Sequence, residues 1–189
     1  FKTMWYDGIF ESLLALRDEE RAPQMSAYMR NQFPFLGIPT GPRKAAYKKY
    51  LAIAKKEKKK KSSTSISWTN AQAGLSEFQY AGVDYLLAIQ DCLGPEDLPK
   101  LKQYIQTKSW WDTVDGLDGV VGSIVQRFPE CKSALLEWSV ADDIWLRRVA
   151  IDHQLGFKSK TDTALLAEII RNNLNQKEFF INKAIGWSL

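Results

Sequence analysis

The strongest constraint on the fold is the spacing of the apolar residues, which recur with the 3.6-residue period of a helix and nowhere with the two-residue period of a half-buried strand. Ile9, Leu13 and Leu16 share one face of a first helix, expected over Trp5 to Leu16 and closed by Arg17-Asp18-Glu19-Glu20. A second should run from Ala22 to about Phe33, with Met25, Tyr28, Met29 and Phe33 on one side. Further helices are expected over Asn70–Leu93, Pro95–Gln106, Leu135–Val140, Asp142–Leu155, Thr161–Leu174 and Glu178–Leu189. Helices of roughly 12 to 18 residues joined by short turns, in pairs spanning about 40 residues, predict an all-α protein that looks like a HEAT-type helical array, although exact repeats are not visible. A single domain over residues 1–189 is expected.

Breaks in the pattern carry as much information as the pattern itself. Phe33-Pro34-Phe35-Leu36-Gly37-Ile38-Pro39-Thr40-Gly41-Pro42 holds three prolines and two glycines and must be a loop. Thr40 can cap the helix that follows, with Pro42 tolerated in its first turn. Arg43 and Lys44 then place basic groups beside the backbone amides of a helix start, a geometry that suits a phosphate. Lys55-Lys56-Glu57-Lys58-Lys59-Lys60-Lys61 leads into serines and reads as a solvated loop. Between Gly116 and Gly122 stand three glycines in seven residues, so either the helix breaks there or another element passes close to its backbone. Close packing is the preferred reading.

The bulk numbers narrow the class. A chain of 189 residues, 45% hydrophobic, can bury one sizeable core. Its 26 basic and 22 acidic side chains leave a formal charge of +4, a modest bias toward an anionic partner such as nucleic acid. Cys92 and Cys131 lie far apart without metal-ligand spacing, so neither a disulfide framework nor a zinc site is expected, and a reducing cytosol fits. No run approaches the ~18 apolar residues of a membrane span. The first residues do not form a signal peptide, and the ending at Leu189 reads as a helix cut short, the expectation of a trimmed chain.

Chemistry concentrates in Ser109-Trp110-Trp111-Asp112-Thr113-Val114-Asp115. On a helix, Trp111 and Asp115 are one turn apart and share a face, placing an indole beside a carboxylate, an arrangement suited to a cation. Trp110 and Val114 would then anchor the helix in the core. The plainer alternative makes both tryptophans core and both acids solvated. On the helix from Asp142, Arg148 interrupts the apolar stripe Ile144, Ile151, Leu155, so its guanidinium must meet a carboxylate or an external anion. Phe180, Ala184 and Trp187 are spaced to share a face of the last helix, again either core or site. His153 has no evident acid or nucleophile partner and reads as structural.

These residues also carry a resemblance. Through Tyr28-Met29-Arg30-Asn31-Gln32-Phe33-Pro34-Phe35-Leu36-Gly37-Ile38, Lys108 to Asp115, Ile144-Trp145-Leu146-Arg147-Arg148 and Glu178 to Trp187, the chain resembles the AlkD-like DNA alkylation repair family of HEAT-like DNA glycosylases. Two departures stand out: Gly41 separates Thr40 from the proline, and the family's further C-terminal helices after Trp187 are absent. The resemblance implies an α-solenoid with a concave basic DNA-binding face. It implies a monofunctional glycosylase, without metal or cofactor, that removes cationic N3- and N7-alkylpurines from duplex DNA. Trp111, Asp115 and Trp187 would be catalytic, Arg148 would contact a backbone phosphate, and Arg43, Thr40, Tyr28 and Phe180 would join the DNA interface. A monomer in the bacterial cytosol is expected, with no membrane association.

The chemistry is coherent. A charged alkylpurine departs as a neutral base, so no general acid is needed, unlike the two-carboxylate glycosidases. One acid can suffice. What the family resemblance further implies is excision while the lesion stays largely within the duplex, in contrast to extrusion into a pocket. Two alternatives belong to other classes: a non-catalytic HEAT-like protein that binds bent or branched DNA, and a protein-interaction scaffold. Duplex affinity that falls steeply with salt separates the DNA-binding readings from the scaffold.

Overall fold

The computed structural model describes residues 7–57 and 75–189. It divides into two compact units, one ending at Cys92 and one beginning at Leu93. All regular structure among the described residues is helical. The packing of consecutive helices on one another is consistent with a HEAT-like α-solenoid fold.

The first unit holds α1 (Asp7–Leu14), α2 (Ala22–Tyr28), α3 (Thr40–Glu57) and α4 (Ser76–Ala88). Ile9 and Leu13 of α1 meet Tyr47 of α3 and Phe78 and Ala81 of α4 in a common core. The expected second helix ends five residues early because Arg30 and Asn31 both adopt a left-handed backbone, each with φ of 54°. In the lysine block, Lys55 to Glu57 continue α3 and do not form a loop, while Lys58 to Lys61 lie outside the described residues. The helix expected over Asn70–Leu93 ends at Ala88, and Gln90–Cys92 forms a single 3-10 turn; its first five positions lie outside the described residues.

The proline-rich segment is a loop, as expected, but a buried one. Leu36 and Ile38 enter the core, which strands their backbone N–H groups away from water. Glu77 of α4 solves this. Its carboxylate, wholly buried, accepts from Leu36 N at 2.8 Å, Gly37 N at 2.9 Å and Ile38 N at 3.1 Å. Gly37 between them has φ of +90°, and a Cβ there would stand 2.1 Å from the Asp18 carbonyl oxygen. Only glycine fits.

The second unit runs α5 (Leu98–Ile105), α6 (Trp111–Arg127), α7 (Lys132–Ser139), α8 (Ile144–Asp152), α9 (Thr163–Asn172) and α10 (Phe179–Ser188). Helix α6 passes unbroken through its three glycines. At Gly122 an added Cβ would lie 2.1 Å from the His153 carbonyl oxygen, so the close packing expected from sequence is present at that position. Val114, Leu117, Val120, Val121, Ile124 and Val125 are buried along α6, each worth about 1.5 to 3 kcal/mol of transfer free energy. Helix α8 is central, packed against α6, α7, α9 and α10. Its start is fixed by Asp143, whose side chain accepts from Trp145 N at 2.8 Å and Leu146 N at 3.1 Å. Asp162 caps α9 by accepting from Leu165 N at 3.0 Å and also pairs with Lys132 at 2.8 Å.

Glu77→Ala would leave three buried N–H groups without an acceptor. At ~1 to 3 kcal/mol for each unsatisfied group, partly relieved by water entry, a net loss of about 3 to 5 kcal/mol is expected. Urea denaturation followed by circular dichroism measures it; a loss under about 1 kcal/mol contradicts the anchoring role.

Candidate active site

The candidate site is assembled by three helices of the second unit. Trp110 occupies the N-cap position of α6 with an extended backbone, so Trp111 is the first helical residue and Asp115 lies one turn on. The Trp110 ring packs edge-on against Trp145 at 5.7 Å and Phe180 at 5.1 Å, and Trp145 meets Phe180 at 4.9 Å. This aromatic cluster joins the starts of α6, α8 and α10. Val114, one turn after Trp110, is fully buried, so the expected anchoring pair is in place. Trp145, which spacing did not single out, is a buried member of that cluster.

Arg148 sits beneath. Its Nε and Nη2 each donate to one oxygen of Asp115 at 2.8 Å, a two-pronged pair, while Nη1 donates to the Phe180 carbonyl at 2.6 Å. Of the two partners left open for this arginine, the structure supplies the carboxylate. The residue is 1% exposed, and its guanidinium is engaged in an internal ion pair. Burial opposes its charge, yet Asp115 and the carboxylates behind it raise the guanidinium above its usual range. Asp115 itself keeps 24% of its side chain open to solvent.

Trp187 on α10 is 51% exposed, which separates it from the core reading, while Ala184 on the same face is fully buried. The Arg148 guanidinium lies 5.0 Å from the Trp187 ring centre, and the Lys183 ammonium lies 5.3 Å from it. Two cations therefore already use this ring, at distances typical of favourable cation–π contact. Phe180 is half-buried, and its part in the site is through its ring packing and its carbonyl.

Behind the pair stand two acids that the sequence reading passed over. Asp118 lies one turn beyond Asp115 and Asp152 one turn beyond Arg148; one oxygen from each of Asp115, Asp118 and Asp152 falls within 4.8 Å of the others. Asp152 Oδ2 is 3.9 Å from Arg148 Nε, and Ser188 donates to Asp152 Oδ1 at 3.3 Å and to the Ile151 carbonyl at 3.2 Å. Both acids were traceable by helical spacing, since an arginine on an apolar face calls for acids at i+4 and on the facing helix. Burial, reinforced by Asp152 and Asp115, pushes the Asp118 carboxyl up to about 8. Burial likewise lifts Asp152 to about 6, held down in part by Arg148. Burial therefore favours a proton on Asp118. Among the described residues these three acids are the set with metal-ligand spacing, but a dication there would have to displace both that proton and a buried guanidinium.

His153 is buried, its Nδ1 2.7 Å from the Ala150 carbonyl oxygen, and burial depresses it to about 4. It is neutral and structural at pH 7. The remaining expected contacts belong to the first unit. Tyr28 is 74% exposed at the end of α2. Thr40 is exposed but lies inside α3, because the Pro39 carbonyl accepts the Arg43 N–H at 3.0 Å; it is not the cap that the sequence suggested. Arg43 is buried with its guanidinium 4.5 Å over the Tyr80 ring.

The sequence profile of the DNA alkylation repair enzyme family matches residues 9–189. The chain belongs to that family. Among solved structures it is similar to a predicted DNA alkylation repair enzyme from Enterococcus faecalis, with 35% identity and a TM-score of 0.80 over 91% of this chain and 81% of that one. None of the curated proteins matches the sequence. No helix among the described residues is long and apolar enough to cross a membrane.

The raised carboxyl of Asp118 makes stability depend on pH. The unfolded chain loses this proton near pH 4 and the folded chain keeps it to about 8, so unfolding releases a proton throughout that window. The stability it gives is complete below about pH 4 and is lost as pH rises toward 8. Asp118→Asn removes the titration. Its stability relative to the parent should improve by about 1 to 3 kcal/mol between pH 5 and pH 8, read from urea melts at both values; a pH-independent difference contradicts the assignment.

Proposed function

We propose that this protein is a monofunctional DNA glycosylase that removes positively charged N3- and N7-alkylated purines from duplex DNA by hydrolysing the N-glycosidic bond. The observation that carries the reading is Asp115, a partly open carboxylate fixed by a buried arginine, one helical turn from Trp111 and served by the same guanidinium that faces the half-exposed Trp187. Family membership supports a role in repair of alkylated DNA.

In the proposed reaction the bond from C1′ to the purine nitrogen lengthens, its electron pair stays with the base, and the base leaves neutral. Positive charge moves onto the deoxyribose. Asp115 stabilises that oxocarbenium-like state and orients a water, whose oxygen bonds to C1′ as its proton passes to solvent. Trp111 and Trp187 hold the cationic nucleotide at about 0.5 to 2 kcal/mol per aromatic face. A preorganised charge opposite the developing cation contributes more, on the order of 3 to 4 kcal/mol. Asp115 is thus the dominant group and the tryptophans secondary. Duplex DNA is the partner, and a monomer is sufficient.

The parent protein should release 7-methylguanine from methylated duplex DNA, detected as free base by chromatography. Asp115→Asn should slow release by about 10²- to 10³-fold. Folded parent protein that frees no alkylated base overturns the reading.

A further inference from the structure

While Arg148 holds both of its oxygens, Asp115 directs only part of its field at an outside cation. A guanidinium in that two-pronged geometry cancels most of the field the carboxylate would direct at a deoxyribose. Loosening one of the two bonds as positive charge develops would free more of that field. A buried arginine N–H released into an apolar surrounding without another acceptor is strongly disfavoured, so the protein needs a second anion on the inner side.

Asp152 meets that need in detail. Its Oδ2 is buried, makes no hydrogen bond, and lies 3.9 Å from Nε, the same nitrogen that now donates to Asp115 Oδ1. The other oxygen is held by Ser188, the last residue of α10, which fixes the direction of the carboxylate. Nη1 remains on the Phe180 carbonyl and Nη2 on the second oxygen of Asp115, so the guanidinium has only to pivot. Closing from 3.9 Å to an ordinary charge-assisted bond near 2.8 Å is a movement of about 1 Å.

We propose that Asp152 is a positioning residue for Asp115: it takes up Arg148 Nε as Asp115 turns toward the developing cation, so that the guanidinium is shared between two neighbouring carboxylates. Burial raises Asp118, the third acid of the cluster, to about 8 and Asp152 only to about 6, which makes Asp152 the readier anion of the two. Ser188 ties the same acceptor to α10, which also carries Trp187, so the helix that presents an aromatic face to substrate sets the inner end of the relay. The role in catalysis rests on the excision reading above; the sharing of Arg148 does not.

Two measurements keep these apart. In single-turnover release from methylated duplex, Asp152→Asn should lower the rate constant by about 10-fold or more. The duplex Kd should stay within about 2-fold, because Asp152 is buried, and Asp152→Glu should recover most of the rate. An unchanged rate in folded Asp152→Asn, or an equal loss in Asp152→Asn and Asp152→Glu, overturns the proposal. Independently of any activity, a crystal structure of the Asp115→Ala protein without DNA should place Arg148 Nε about 3 Å from Asp152 Oδ2. Nε remaining at its present separation or moving away overturns it. Should Asp115→Ala fail to fold, Asp115→Asn serves, with the Arg148 side chain expected to shift in the same direction. Parent protein that releases no base would defeat the excision reading while the crystal structure still decides where Arg148 goes.

Discussion

The ion pair between Arg148 and Asp115 governs the second unit, because a guanidinium at 1% exposure is tolerable only while every direction around it is answered. Asp115 answers two of its nitrogens, the Phe180 carbonyl a third, and the Trp187 ring its face. Those partners come from α6 and α10, so the pair also fixes how these two helices sit against α8. Structural and chemical demands coincide here. The bonds that hold three helices together also set the direction of the one carboxylate left partly open.

The same economy appears in how α6 approaches α8. Three glycines weaken a helix by up to about 1 kcal/mol each, yet α6 is continuous, since Gly122 lets the backbone meet the His153 carbonyl where any side chain would collide. Close approach brings Asp115 and Asp118 within reach of Arg148 and Asp152. A wider separation would break the pair. The surplus of acid over base then follows: three carboxylates facing one guanidinium in a buried setting cannot all be charged, and burial favours the proton on Asp118.

Much of this was legible in the residues. Periodicity gave the helical class, and most helices of the second unit begin or end within two or three residues of the expected position. The ends that moved have local causes: side-chain caps at Asp143 and Asp162, and left-handed backbone at Arg30 and Asn31. The i, i+4 relation of Trp111 to Asp115 survived because it depends only on helix geometry. Arg148 illustrates the boundary. Its position on an apolar stripe required an anion, but whether that anion was internal or a phosphate was a question about which helix packs opposite.

Sequence alone determined the helical elements, the anchoring of Trp110 and Val114, and the need for a partner at Arg148, because each follows from a repeat of 3.6 residues and from the aversion of charge to an apolar surrounding. Tertiary structure alone decided that the partner is Asp115, that Trp187 stays open while Ala184 is covered, and that Glu77 holds the proline-rich loop. These contacts span 32 or more positions of the chain, as Glu77 to Ile38 and Arg148 to Phe180 do. Local spacing carries no information about such pairs; only the packing of helices against one another brings them to bonding distance.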